Sequence, residues 1–388
     1  MAIPRTVSFS LSLFLGLSAC SSSNVVDVPD AFSLDSFSVD AGPNELDGGP
    51  VAELDAGFDA TLDAGADVFD AGAPPPTALA ECLEAGGAFR IVNTIDNNDT
   101  RDHGPILTFD VSDERQIVVS TVDATLKFWT LDSFQGETGL AQLTYGPEIT
   151  ATSIALDFWE ELAVAGDSQG VIAGWSPEFG MNGVLGGTAP GIALVALAID
   201  DEGGFLAQAD ADGTLLIRPL PGFEGETVQL EGVHAADLAW ANGVLFAATP
   251  SGIEARDIGL NLIAETATGE AQLHIHADAD VVVAGGTQLR AFDTSLRIQG
   301  NDILSFLELK SLTLVGGHPV GLFGGNGATP YIEVQIQTAP GEQQNTMFIF
   351  ESTSDTPRVP VQVVADPQGE LLFVAFEDGL IELLSCEN

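Results

Sequence analysis

Among the residues able to carry chemistry, the pair in His274-Ile275-His276 stands out. Two residues apart on a strand, both rings face one side. That spacing clips a metal when further ligands converge, and Asp278 and Asp280 are near in sequence. The plainer reading is a solvated or partly packed strand face, so His274 and His276 stand only as metal candidates and no cofactor is expected. Asp210-Ala211-Asp212-Gly213 and Asp278-Ala279-Asp280 place Asp at alternate positions, as a calcium loop does. Each is only a fragment of such a loop, and Asp and Gly are what a tight hairpin turn needs sterically. We read no Ser poised on a Gly-x-Ser-x-Gly elbow between strand and helix. The Gly-rich pieces 183–187 and 321–327 lack a phosphate-binding Lys and read as loops. Lys occurs only at Lys127 and Lys310. No catalytic constellation emerges.

The elements that must position these residues belong to a chain of 388 residues that is 45% hydrophobic, enough for a sizeable core. Its 11 Lys and Arg against 57 Asp and Glu give a formal charge of −46. That argues against nucleic acid and anionic headgroups as partners, because holding phosphate needs clustered Lys and Arg. Three Cys are too few for a disulfide-dense scaffold or a Cys-based zinc site. Residues 20–76 carry Asp-Ala-Gly at Asp40, Asp55, Asp63 and Asp70 and end in Pro74-Pro75-Pro76. Neither period 2 nor period 3.6 persists there, and like charges repel, so the stretch reads as a disordered acidic tether.

Residues 77–388 read as all-β. An apolar strand, a polar turn, a second strand, a tight turn and a third strand recur. The copies are counted by the small residue opening the third strand: Ala124, Gly170, Gly213, Gly252, Gly286, Gly327 and Gly379, with a mean spacing near 42 residues. A repeat of that length with several short strands is the signature of a propeller blade, so the expectation is a seven-bladed β-propeller. The copy from Leu304 to Ile336 is the weakest, and its Gly pairs leave six or eight blades open.

The leader resembles that of bacterial lipoproteins. Arg5 is a minimal positive region, Val7 to Leu17 is a short apolar run, and Leu17-Ser18-Ala19-Cys20 resembles a lipobox. The resemblance implies removal of residues 1–19, lipidation of Cys20 and membrane attachment through that lipid anchor in the cell envelope. Ser21 after the Cys favours the outer membrane, by resemblance to enteric lipoproteins.

The first repeat is similar to a WD40 repeat. In that family His, Ser or Thr, Asp and Trp form a buried hydrogen-bonded tetrad, matched here by His103, Thr121, Asp123 and Trp129. His234 resembles a second such His without a completing Asp or Trp.

A propeller must join its last blade to its first or leave a sheet edge exposed. The last repeat shows three strands, and an unassigned strand from Ala88 to Thr94 precedes the first repeat. If that strand completes the last blade, Cys82 before it and Cys386 after the third strand lie close. With Cys20 assigned to lipid, a Cys82–Cys386 disulfide is expected in an exported protein.

The functional expectation is an envelope lipoprotein that presents a propeller as a protein-binding or scaffolding module. The alternative is a propeller hydrolase or lactonase-like enzyme with a divalent metal in the central channel. Several carboxylates or His converging on one point favour the enzyme, and an exposed apolar patch favours binding.

Overall fold

The computed structural model describes residues 78–96, 105–112, 116–121, 126–131, 141–145, 153–159, 162–176, 180–187, 192–200, 203–220, 225–304, 307–325, 328–339, 342–350 and 358–387. The leader, Cys20, the acidic tether, His103 and Asp123 lie outside them. The described strands pair into seven four-stranded antiparallel sheets. The sheets are numbered here in chain order by their first strands. These are Ile106–Val111, Ser153–Trp159, Leu194–Asp200, Asp237–Ala241, His274–Ala277, Glu308–Val315 and Pro360–Ala365. Each first strand touches the first strand of the next sheet, and the seventh touches the first.

The strands form where apolar and β-branched residues are bounded by turn residues. Second strands are sandwiched on both faces, so they read as continuous apolar runs. Leu162–Asp167 and Leu372–Phe376 are buried throughout. Separate clusters fill the spaces between neighbouring sheets. Ala198, Ala207, Leu215, Leu238 and Leu245 pack the third sheet on the fourth. Phe109, Ile117, Phe373 and Leu383 pack the seventh on the first. A buried Leu or Phe contributes about 1.5–3 kcal/mol. Stability is therefore spread around the set of sheets.

Two hairpins repeat one device. Asp257 Oδ1 accepts from Gly259 N and Asn261 N, and Asp293 Oδ1 accepts from Ser295 N and Arg297 N. Three residues after each Asp stands a Leu with left-handed backbone, Leu260 at φ 60° and Leu296 at φ 59°. That conformation costs a non-Gly residue about 1–2 kcal/mol. Both Leu side chains are buried between sheets, which offsets the cost.

The weak sixth repeat is settled by its turns. Gly316 and Gly317 form its first hairpin, and its strands are Glu308–Val315, His318–Gly325, Ala328–Ala339 and Glu342–Ile349. This corrects the reading of the Gly-rich pieces as loops: Gly180–Gly187 and His318–Gly325 are strands. Glycine serves packing there. A β-carbon on Gly321 would lie 2.7 Å from the Phe323 ring, so its absence lets that buried ring lie flat.

The all-β expectation holds for the described sheets, and one short helix adjoins them. A seven-residue helix, Ala78–Glu84, precedes the first strand. It is too short to show periodicity in sequence. Leu79, Ala80 and Leu83 bury it against Val315, Phe350 and Phe376. His318 Nε2 lies 2.9 Å from Glu84 Oε1 and pins its end.

The strand Ala88–Asp96 completes the seventh sheet, antiparallel to Leu380–Glu387. The C-terminal strand runs further than expected, because this partner supplies hydrogen bonds to its end. Cys386 thus sits inside the strand, opposite Phe89. Cys82 and Cys386 are bonded, with Cα atoms 5.9 Å apart.

Candidate functional site: the central channel

The seven first strands enclose a cavity of about 510 Å³, and every one of them contributes to its wall. A first strand has a neighbour in its own sheet on one side only. Its other edge carries backbone N–H groups that need acceptors. Side chains of the preceding sheet supply several. Asp157 Oδ2 accepts from Ile199 N at 2.7 Å, Asp237 Oδ2 from Ile275 N at 3.0 Å, and Ser311 Oγ from Val363 N at 3.2 Å. Gln362 Oε1 accepts from Phe109 N at 3.1 Å and from the Thr108 hydroxyl at 2.9 Å. Between the third and fourth sheets the direction reverses, and Trp240 Nε1 donates to Ala198 O at 3.1 Å. These bonds tie five of the seven neighbouring pairs of sheets together around the channel.

Three titratable groups in this wall are shifted. Burial pushes the Asp237 carboxyl up to about 7, against the opposing pull of the Ile275 and Leu238 N–H groups. Burial lowers the imidazoles of His274 and His276 from their usual value, which favours the neutral rings. Glu308, Lys310 and a hydrogen bond with the Leu309 backbone act on His274 as smaller effects. Lys310 Nζ lies 2.8 Å from Glu308 Oε2.

His274 and His276 line the channel on the edge strand of the fifth sheet, partly buried, in keeping with the partly packed strand face of the plainer reading. Among the described residues, no three His, Cys, Asp or Glu side chains come together to hold a metal ion. Asp278, Ala279 and Asp280 form the hairpin after His274–Ala277, with Asp278 N donating to Val281 O. Asp210-Ala211-Asp212-Gly213 is likewise a turn, in which Gly213 N donates to Asp210 O. Burial raises the Asp210 carboxyl to about 6, and the Gln208 amide donates to it at 3.0 Å.

One segment does match Gly-x-Ser-x-Gly in letters, Gly166-Asp167-Ser168-Gln169-Gly170, which the sequence reading passed over. It is a hairpin between two strands, closed by Gly170 N donating to Asp167 O. Asp167 Oδ1 accepts from Gln169 N and Val171 N, so the segment is a capped turn with no helix after it.

Of the WD40-type tetrad, Thr121 is fully buried at the end of the strand Gln116–Thr121. Trp129 stands opposite Ile117 and Leu143 in register. His103 and Asp123 are outside the described residues. The His234 ring lies over Gly213, where a β-carbon would come within 2.5 Å of it.

Sequence reasoning missed Asp157, Asp237, Lys310 and Gln362 as channel residues. The one available signal was a polar residue inside each short apolar first strand.

No family profile matches the chain, and no curated protein matches it. Solved structures do. The WD40 propeller domain of Doa1 is 13% identical, covers 76% of this chain and 97% of its own, and superposes with a TM-score of 0.60. The Pan2 WD40 domain of Neurospora crassa is 12% identical over 77% of this chain and 96% of its own, with a TM-score of 0.61. A chain of the mitotic checkpoint complex is 12% identical over 76% and 93%, with a TM-score of 0.60. At such identities the likeness speaks to architecture alone. The fold is a WD40-like β-propeller.

Proposed function

We propose that this protein is an envelope-anchored lipoprotein whose seven-bladed propeller is a protein-binding module. The observation that carries the binding role is an apolar cluster on one hairpin of the fourth sheet. Ile258, Leu262 and Ile263 lie there 48%, 47% and 57% exposed. Leaving three large aliphatic side chains in water within six residues is costly, and a partner surface would recover that cost. The acidic character of the domain selects partners of opposite charge and speeds their encounter. Cys20 and the tether would hold the module at the membrane and let it search the surrounding space.

Affinity capture of envelope proteins with the full chain tests this reading, run beside Ile263→Asp. The expected result is one or more proteins enriched by the wild type and lost with the variant. Identical capture by both forms, or none by either, would overturn it. Radiolabelled palmitate incorporation at Cys20, lost in Cys20→Ser, tests the anchor.

A further inference from the structure

We infer that the central channel binds a small zwitterion of the amino-acid class, with Lys310 receiving its carboxylate and the opposite arc of Asp residues receiving its ammonium. This is separate from the protein-binding reading, which rests on the outer hairpin of the fourth sheet.

The cavity of about 510 Å³ is of the size that holds small molecules. Its wall is divided by charge. Lys310 enters from the sixth sheet and is one of only two Lys in 388 residues. His274 of the fifth sheet and Gln362 of the seventh flank it, both also in the wall. The acidic residues Asp110, Asp157 and Asp237 come from the first, second and fourth sheets. The first strands follow one another in chain order around the channel. The sixth therefore stands across from the second and third, which sets the strand carrying Lys310 opposite the strand carrying Asp157.

The acidic arc is rich in acceptors. Each oxygen of Asp157 and Asp237 accepts one backbone N–H, from Phe158 and Ile199 and from Leu238 and Ile275, which removes those donors from the wall. The carboxylate oxygens keep further lone pairs for an ammonium. On the Lys310 side, the ammonium has three donors and Glu308 occupies one of them. Thr313 adds a hydroxyl to the same side of the wall, whereas the Ser311 hydroxyl is committed to Val363 N and O.

The arrangement discriminates by sign. A simple anion would meet three Asp, and a simple cation would meet Lys310. A molecule carrying both charges satisfies both poles, and each contact strengthens where water is scarce.

Calorimetric titration of the full chain tests the inference with matched probes. L-alanine and L-phenylalanine carry both charges. Ethylamine and phenethylamine keep the ammonium alone, and propionate and 3-phenylpropionate keep the carboxylate alone. At least one amino acid is expected to bind ten times or more tighter than both of its single-charge analogues. Lys310→Met should weaken that binding tenfold or more, Lys310→Arg should retain most of it, and circular dichroism reports whether each variant folds. If Lys310→Met does not fold, the wild-type panel and Lys310→Arg decide. Equal affinity for an amine and its parent amino acid, no heat from any of the six probes, or unchanged binding in folded Lys310→Met would overturn the inference.

Discussion

A β-carbon at Gly87 would lie 2.6 Å from the Cys386 sulfur and equally crowd that of Cys82, so the seam closes only because residue 87 has no side chain. The bond beside it spans a sequence separation of 304 residues. A loop that long gives a chain-entropy stabilisation of about 5 kcal/mol. Reduction, or Cys82→Ser with Cys386→Ser, should lower the Tm markedly. Gly87→Ala should leave a larger fraction of titratable thiols in the folded protein. Equal Tm with and without reductant would mean that strand pairing alone holds the seam.

Leu260 should show an inverted mutational order. Leu260→Ala keeps the left-handed strain and loses the buried side chain, and so costs about 2–5 kcal/mol. Leu260→Gly loses the same packing and relieves the backbone, recovering about 1 kcal/mol. Denaturant unfolding should therefore rank Gly above Ala, the reverse of an ordinary buried site, and Leu296 should behave alike.

The Asp237 carboxyl makes stability pH-dependent in a stated direction. Its folded value of about 7 exceeds its ordinary value of 3.8, so between these the folded state binds more protons than the unfolded. Stability from this group is full below about pH 4 and declines as pH rises toward 7. The lowered His274 and His276 act oppositely: their contribution is present above the ordinary His range and is lost as pH falls below it. In Asp237→Asn the decline attributed to the carboxyl should vanish. The wild type should compare least well with the variant at pH 7 and above, and parallel profiles from pH 4 to 8 would count against the assignment.

Salt should stabilise the domain. Residues 82–388 carry a formal charge of −34, and their self-repulsion is screened as ionic strength rises. The Tm is expected to climb from low to molar NaCl, and a flat or falling curve would separate this acidity from salt tolerance.

What was legible in the amino-acid sequence was what local physics writes. Gly170, Gly213 and Gly379 adopt left-handed backbone before third strands, with φ of 82°, 89° and 89°, so their spacing marks the repeat directly. Cys82 and Cys386 were pairable on paper because strand order brings chain ends together. The Gly-rich strand at 318–325 misled, because glycine's use against the Phe323 ring depends on a neighbour that composition does not name.

The channel belongs wholly to the tertiary structure. Asp157, Asp237, Lys310 and Gln362 are polar residues in four different strands. Seven first strands, each from a different repeat, bring them around one cavity. For Asp157, Asp237 and Gln362 the requirement that places them is the uncapped backbone edge of the neighbouring first strand, and that edge exists only once the sheets stand side by side. Chain periodicity set the spacing of the repeats and marked the turns before their third strands. Assembly of the sheets decided which of their polar residues would share a site.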